Sequence, residues 1–112
     1  MSSRCRPGTP AGRVSVISDT NFGPTLAGLL GASSALVRKH AVQLLDEMVF
    51  KDADAAVLAL AKTDADEDVR IAACHALGAF GNTSDQATLN YIANNDSSTL
   101  VRDMAAIAAL RL

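Results

Sequence analysis

The sequence predicts an all-α solenoid of three stacked helical hairpins, and three observations predict it. Val-Arg occurs at 37–38, 69–70 and 101–102, 32 residues apart each time, and Ala41, Ala73 and Ala105 keep the same spacing. Counting the repeated Val as zero, positions +4, +7, +8 and +11 carry Ala41, Leu44, Leu45 and Met48 in the first unit. The second unit has Ala73, Ala76, Leu77 and Phe80 there, and the third has Ala105, Ala108, Ala109 and Leu112. This is one apolar stripe at the helical period, with turn and capping residues between the runs. Coincidences in one fixed register mean a repeat. A lone helix pair could not bury its apolar faces, so the three must stack.

Residues 1–21 stand apart as an irregular arm or tail, because Pro7, Gly8, Pro10 and Gly12 block regular structure. Val14, Val16 and Ile17 give a brief strand-like alternation, which allows an arm folded back over the apolar flank of the first helices. From Phe22 the chain is rich in Ala and Leu, with repeats at about 22–50, 51–82 and 83–112. First helices are expected at about 24–31 (Leu26, Leu29, Leu30), 53–62 (Val57, Leu58, Leu60, Ala61) and 84–94 (Leu89, Ile92, Ala93). Second helices are expected at about 34–48, 66–80 and 98–112. Pro24 fits a first helical turn. Asp64 with Glu67, and Thr83 with Gln86, have capping-box spacing; Asp52 and Ser97 are further candidate caps. Gly81-Asn82 suits a left-handed exit after Phe80. The repeated Ala lets a neighbouring helix approach closely, and Val37, Val69 and Val101 should occupy equivalent environments.

Composition sets the outer bounds. With 112 residues, one domain is expected; 49% hydrophobic and 20% charged residues exclude a disordered chain. No apolar run approaches the ~18 residues of a membrane span. Lys+Arg 10 against Asp+Glu 12, a formal net charge of -2, opposes a chain built to grip phosphates. The absence of Trp and the few aromatics oppose a base-stacking platform. Cys5 and Cys74 share no metal or redox spacing, and no apolar signal region follows Arg4 and Arg6, so a cytoplasmic location is expected.

Catalytic chemistry is not found. GLLGASS at 28–34 lacks the Lys of a phosphate-binding loop, and no Ser stands in a nucleophile-elbow context. His40 and His75 hold different register positions and lack ligand partners, which leaves them as partly exposed, non-catalytic residues. Cys74 and His75 are neighbours along a helix and point about 100° apart, so an inert, partly buried thiol is expected. DADED at 64–68 lacks the glycine and distal Glu of a calcium loop and reads as negative charge favoured at a helix N-terminus. No enzyme activity, metal or cofactor is expected.

The stretch from Asp64 to Asn82 resembles a HEAT-like repeat, in particular the short form of the phycobilin-lyase-like group, through Asp64, Val69, Arg70, Ala73, Leu77 and Gly78. The third unit keeps Asp96, Val101, Arg102 and Ala105 but has Ala109 and Leu110 for the Leu-Gly pair. The first keeps Val37, Arg38, Ala41 and Leu45, with Ala32 and Asp46 as departures. The resemblance implies a right-handed solenoid with second helices lining the concave side. It also implies an inter-repeat ladder built from Arg38, Asp64, Arg70, Asp96 and Arg102, pairing Arg38 with Asp64 and Arg70 with Asp96. If exposed, each such pair contributes only about 0–1 kcal/mol, and its main effect is to fix register.

Positions +2, +6 and +9 lie opposite the apolar stripe and are expected to face out along the concave side. They hold Lys39, Gln43 and Asp46, then Ile71, His75 and Gly78, then Asp103, Ile107 and Leu110. Polarity falls along the series, and Ile107, Leu110 and Leu112 end on a helix without a visible cap, an apolar edge that a second copy, a partner or further chain would cover. The leading expectation is a non-enzymatic scaffold binding another protein, or itself, through Lys39, Gln43, Asp46, Ile71, His75, Asp103, Ile107, Leu110 and Leu112. Two alternatives are an accessory subunit of a bilin-lyase-type complex, opposed by the few aromatics, and a weak nucleic-acid binder using Arg4, Arg6 and Arg13, opposed by the net charge.

Overall fold

The computed structural model describes residues 22–112, so the expected arm at residues 1–21 lies outside the described residues. Helix α1 (Phe22–Gly28) tightens into a 3-10 turn at Leu29–Gly31, and α2 (Ala35–Met48) returns against it. A 3-10 turn at Lys51–Ala53 leads into α3 (Asp54–Thr63), which pairs with α4 (Glu67–Phe80). A matching turn at Thr83–Asp85 leads into α5 (Gln86–Asn95), which pairs with α6 (Thr99–Leu110). There is no strand among the described residues. The architecture is the all-α helical-repeat solenoid of three stacked hairpins that the sequence predicts.

The period of the sequence is the period of the structure. Helices α2, α4 and α6 begin at Ala35, Glu67 and Thr99, and their N-caps are Ser34, Asp66 and Ser98, each set 32 apart. Helix α4 is the centre of the stack, packed on α2, α3 and α6. Second helices thus form one layer and first helices another, each first helix backing its own partner. Ala41, Ala73 and Ala105 are buried where these layers meet. Leu45, Leu77, Phe80 and Leu89 are the largest fully buried side chains around them. Burial of each such side chain is worth roughly 1.5–3 kcal/mol, and neighbouring hairpins supply much of the surface it needs.

Local chemistry differs from the expected punctuation in four places. Asp66, not Asp64, caps α4, its side chain accepting from the N–H groups of Asp68 and Val69 at 2.8 and 3.2 Å. Ser98, not Ser97, caps α6 by accepting from Val101 N–H. Asp52 caps nothing, because α3 follows a 3-10 turn and has no side-chain cap. The capping box before α5 is formed by Asn82 and Asp85 rather than Thr83 and Gln86. Where a side chain does cap, two polar residues lie within a few positions of the helix start, and spacing alone does not choose between them.

The left-handed exit is also misplaced. Gly81 has φ -66°, an ordinary value; its missing Cβ matters because one would stand 2.6 Å from the Leu77 carbonyl oxygen. The left-handed residue is Val49, φ 54° and ψ 51°, after α2. There Val49 N–H donates to Asp46 and Phe50 N–H to Leu45, a Schellman ending in which a β-branched residue takes the place that glycine normally fills. Nor are the three repeated valines equivalent: Val69 and Val101 are fully buried, whereas Val37 is 38% exposed. Val37 starts the second helix of the first described hairpin, with no earlier hairpin among the described residues to cover it. Helix α6 does have help at its end, since Gln86 Nε2 donates to the Ala109 carbonyl at 2.8 Å.

Candidate functional site

An open groove of about 670 Å³ lies on the layer of second helices. It draws residues from all three hairpins: Lys39, Gln43, Asp46 and Glu47 of α2, Asp68, Ile71, Ala72 and His75 of α4, and Met104 of α6. Five of the nine residues singled out from the sequence therefore meet here, namely Lys39, Gln43, Asp46, Ile71 and His75. Asp103 and Ile107 are exposed on α6 outside this lining. Leu110 is 87% exposed, the most exposed large apolar side chain among the described residues. Leu112 departs from the expectation, for it packs partly buried against the core instead of extending the outer edge.

Position +9 is turned towards the next hairpin, although Asp46 still lines the groove. Gly78 is turned towards α6, where a Cβ would stand 3.2 Å from Ala108 Cα. Asp46 leans towards α4, with Oδ2 2.5 Å from His75 Nδ1. So +9 faces the next hairpin, and Leu110 is exposed because no described hairpin follows. Spacing missed four lining residues: Glu47, Asp68, Ala72 and Met104. They lie at +10, -1 and, for the last two, +3, flanks of the helix that become groove walls only because helices lie side by side.

Paired turns join neighbouring hairpins. Arg38 donates from Nε to Asp64 Oδ2 at 2.8 Å and from Nη2 to Asp64 Oδ1 at 3.1 Å, while Nη1 reaches the Ala32 carbonyl at 2.8 Å. One hairpin on, Arg70 makes the same contacts with Asp96, at 3.1 and 3.3 Å, and with the Asp64 carbonyl at 2.8 Å. Arg102 keeps the contact within its own hairpin, to the Asp96 carbonyl at 2.6 Å, and turns Nη2 to Thr99 Oγ1 at 3.0 Å. Ala32 stands where Asp64 and Asp96 do and offers no carboxylate. These pairs are less exposed than surface ion pairs: the Asp64 side chain is only 4% exposed. Burial pushes the Asp64 carboxyl up, but the Arg38 fork and the Asp66 N–H together hold it below the usual carboxylate range. Asp64 in turn raises the Arg38 guanidinium above its ordinary value.

Cys74 is buried in the core, and burial, with Asp96 nearby, pushes its thiol up to about 12. No group of three His, Cys, Asp or Glu among the described residues is placed to hold a metal ion. No helix among the described residues is long and apolar enough to cross a membrane. The arrangement offers a shaped, partly apolar surface with fixed charges, suited to binding.

Comparison with curated proteins and with solved structures gives no match. Among protein families, HEAT repeats match residues 24–111, most of the chain. Repeats of this kind commonly mediate protein–protein interaction and are generally non-enzymatic scaffolds. The chain belongs to the HEAT repeat family.

Proposed function

We propose that the chain is a non-enzymatic interaction module that docks a partner protein in the groove of α2, α4 and α6, with the exposed Ile107 and Leu110 of α6 as a second, apolar contact. The observation that carries this reading is the convergence of Lys39, Gln43, Asp46, Ile71 and His75 on one groove spanning all three hairpins. A surface assembled from several repeats is how solenoids make extended binding sites. Apolar floor residues beside charged walls match the anatomy of a protein interface, with an apolar centre and a polar rim.

A photo-crosslinking residue placed at Gln43 tests the reading in extract of the native host. It should trap a discrete partner protein, and the same residue at the exposed Ala59 of α3, on the opposite layer, should not. Identical products from both positions, or none from Gln43, would remove the proposal.

A further inference from the structure

We infer that the segment docked in the groove is basic, carrying Lys or Arg on either side of an apolar anchor; this rests on the docking reading above and names the chemistry of its partner. The floor is apolar, built from Ile71, Ala72 and Met104. Around it stand the carboxylates of Asp46, Glu47 and Asp68, against a single lysine, Lys39. Asp46 is engaged by His75, but Glu47 and Asp68 form no ion pair among the described residues. Exposed Glu67 and Asp103 add negative charge on the same helices, although Glu67 accepts from the Ser98 hydroxyl.

Unpaired carboxylates gathered at a groove set a negative local potential, which draws cationic groups and repels anionic ones. The apolar floor meanwhile rewards one buried aliphatic or aromatic side chain. A basic segment with an apolar anchor satisfies both. An acidic segment, a phosphate backbone or an anionic lipid surface would bring like charge to Glu47 and Asp68.

Three short synthetic peptides test this on the full chain, identical in their apolar residues and flanked by Arg and Lys, by Gln, or by Glu. Binding is read by fluorescence anisotropy and located through the methyl NMR signals of Ile71 and Met104. The basic peptide should bind about tenfold more tightly than the Gln-flanked one, shift both methyls, and weaken steeply between about 50 and 300 mM salt. The Glu-flanked peptide should bind least. The double variant Glu47→Gln with Asp68→Asn leaves the Asp46–His75 contact intact and should remove most of that preference, whereas Lys39→Glu should tighten the basic peptide several-fold.

Equal binding of the neutral or acidic peptide would overturn the inference. So would a basic preference that survives the double variant, or a groove that takes none of the three. A specific crosslink from Gln43 together with no basic preference would sink this inference alone. Loss of the crosslink would sink the docking reading beneath it.

Discussion

Arg38 and Asp64, 26 residues apart, form a two-pronged pair at 2.8 and 3.1 Å across the junction of the first and second hairpins. The same guanidinium also holds the Ala32 carbonyl, so one side chain ties the turn of its own hairpin to the turn of the next. Arg70 repeats this with the Asp64 carbonyl and Asp96. A planar fork with donors in fixed directions constrains both angle and distance, which is why the pair sets register as well as adding energy.

Removing the fork should therefore loosen the stack. Arg70→Ala leaves the nearly buried Asp96 carboxylate and the Asp64 carbonyl without their donor, and should cost about 2 kcal/mol in urea unfolding. Arg70→Lys should lose more than half as much, because a single ammonium cannot serve three acceptors in two hairpins. A lysine variant as stable as the parent would refute the geometric role.

Val49 is a place where the chain should be improvable. A β-branched residue at φ 54° carries left-handed strain on a helix ending that glycine makes freely. Its side chain is half-exposed, so little packing is lost on removal. Val49→Gly should gain about 0.5–1 kcal/mol, raising the melting temperature by a few degrees. A lower melting temperature would show that Val49 packing outweighs the strain.

Asp54 gives the stack a pH dependence of unusual sign. Burial, then its contact with Asp85, pushes its carboxyl up to about 6, and its Oδ1 atom is shielded from water without a partner. A folded value above the unfolded one near ~4 favours the fold when the group is protonated. That contribution is whole at about pH 4 and is lost as pH rises through about 6. Asp54→Asn should thus leave stability near pH 4 unchanged and raise it by about 1 kcal/mol above pH 7, after allowance for solvent screening. Melting curves across that range would contradict this if the variant gained nothing at high pH.

Cys74 should be chemically silent in the fold. With the thiol buried and pushed up to about 12, thiolate is scarce at neutral pH. In a Cys5→Ser background, a thiol reagent should label Cys74 in urea and leave it unmodified in buffer. Rapid labelling without denaturant would mean that the core around Cys74 opens.

The residues explain what was legible and what was not. The 32-residue register of Val-Arg and Ala was readable because each repeated residue does one job three times, and it placed six helices to within about three residues. The helix starts were not fixed, because Asp64 and Asp66 are both competent caps. Asp64 is taken instead by Arg38 and by the Asp66 N–H at 2.9 Å, a three-dimensional demand invisible to spacing. Likewise, Lys39 and Gln43 of α2 and His75 of α4 could each be read from one face of its own helix. Glu47, Asp68 and Met104 could not, since the width of a groove depends on how neighbouring helices lean.

The central claim is that α2, α4 and α6 present one shared face. A nitroxide spin label at exposed Gln43 tests it directly through broadening of methyl signals. Ile71 and Met104, on the next two second helices, should broaden strongly, while Ile92, buried on α5 in the layer of first helices, should stay sharper. A sharp Met104 signal beside a broadened Ile92 would contradict the stacking, and with it the groove.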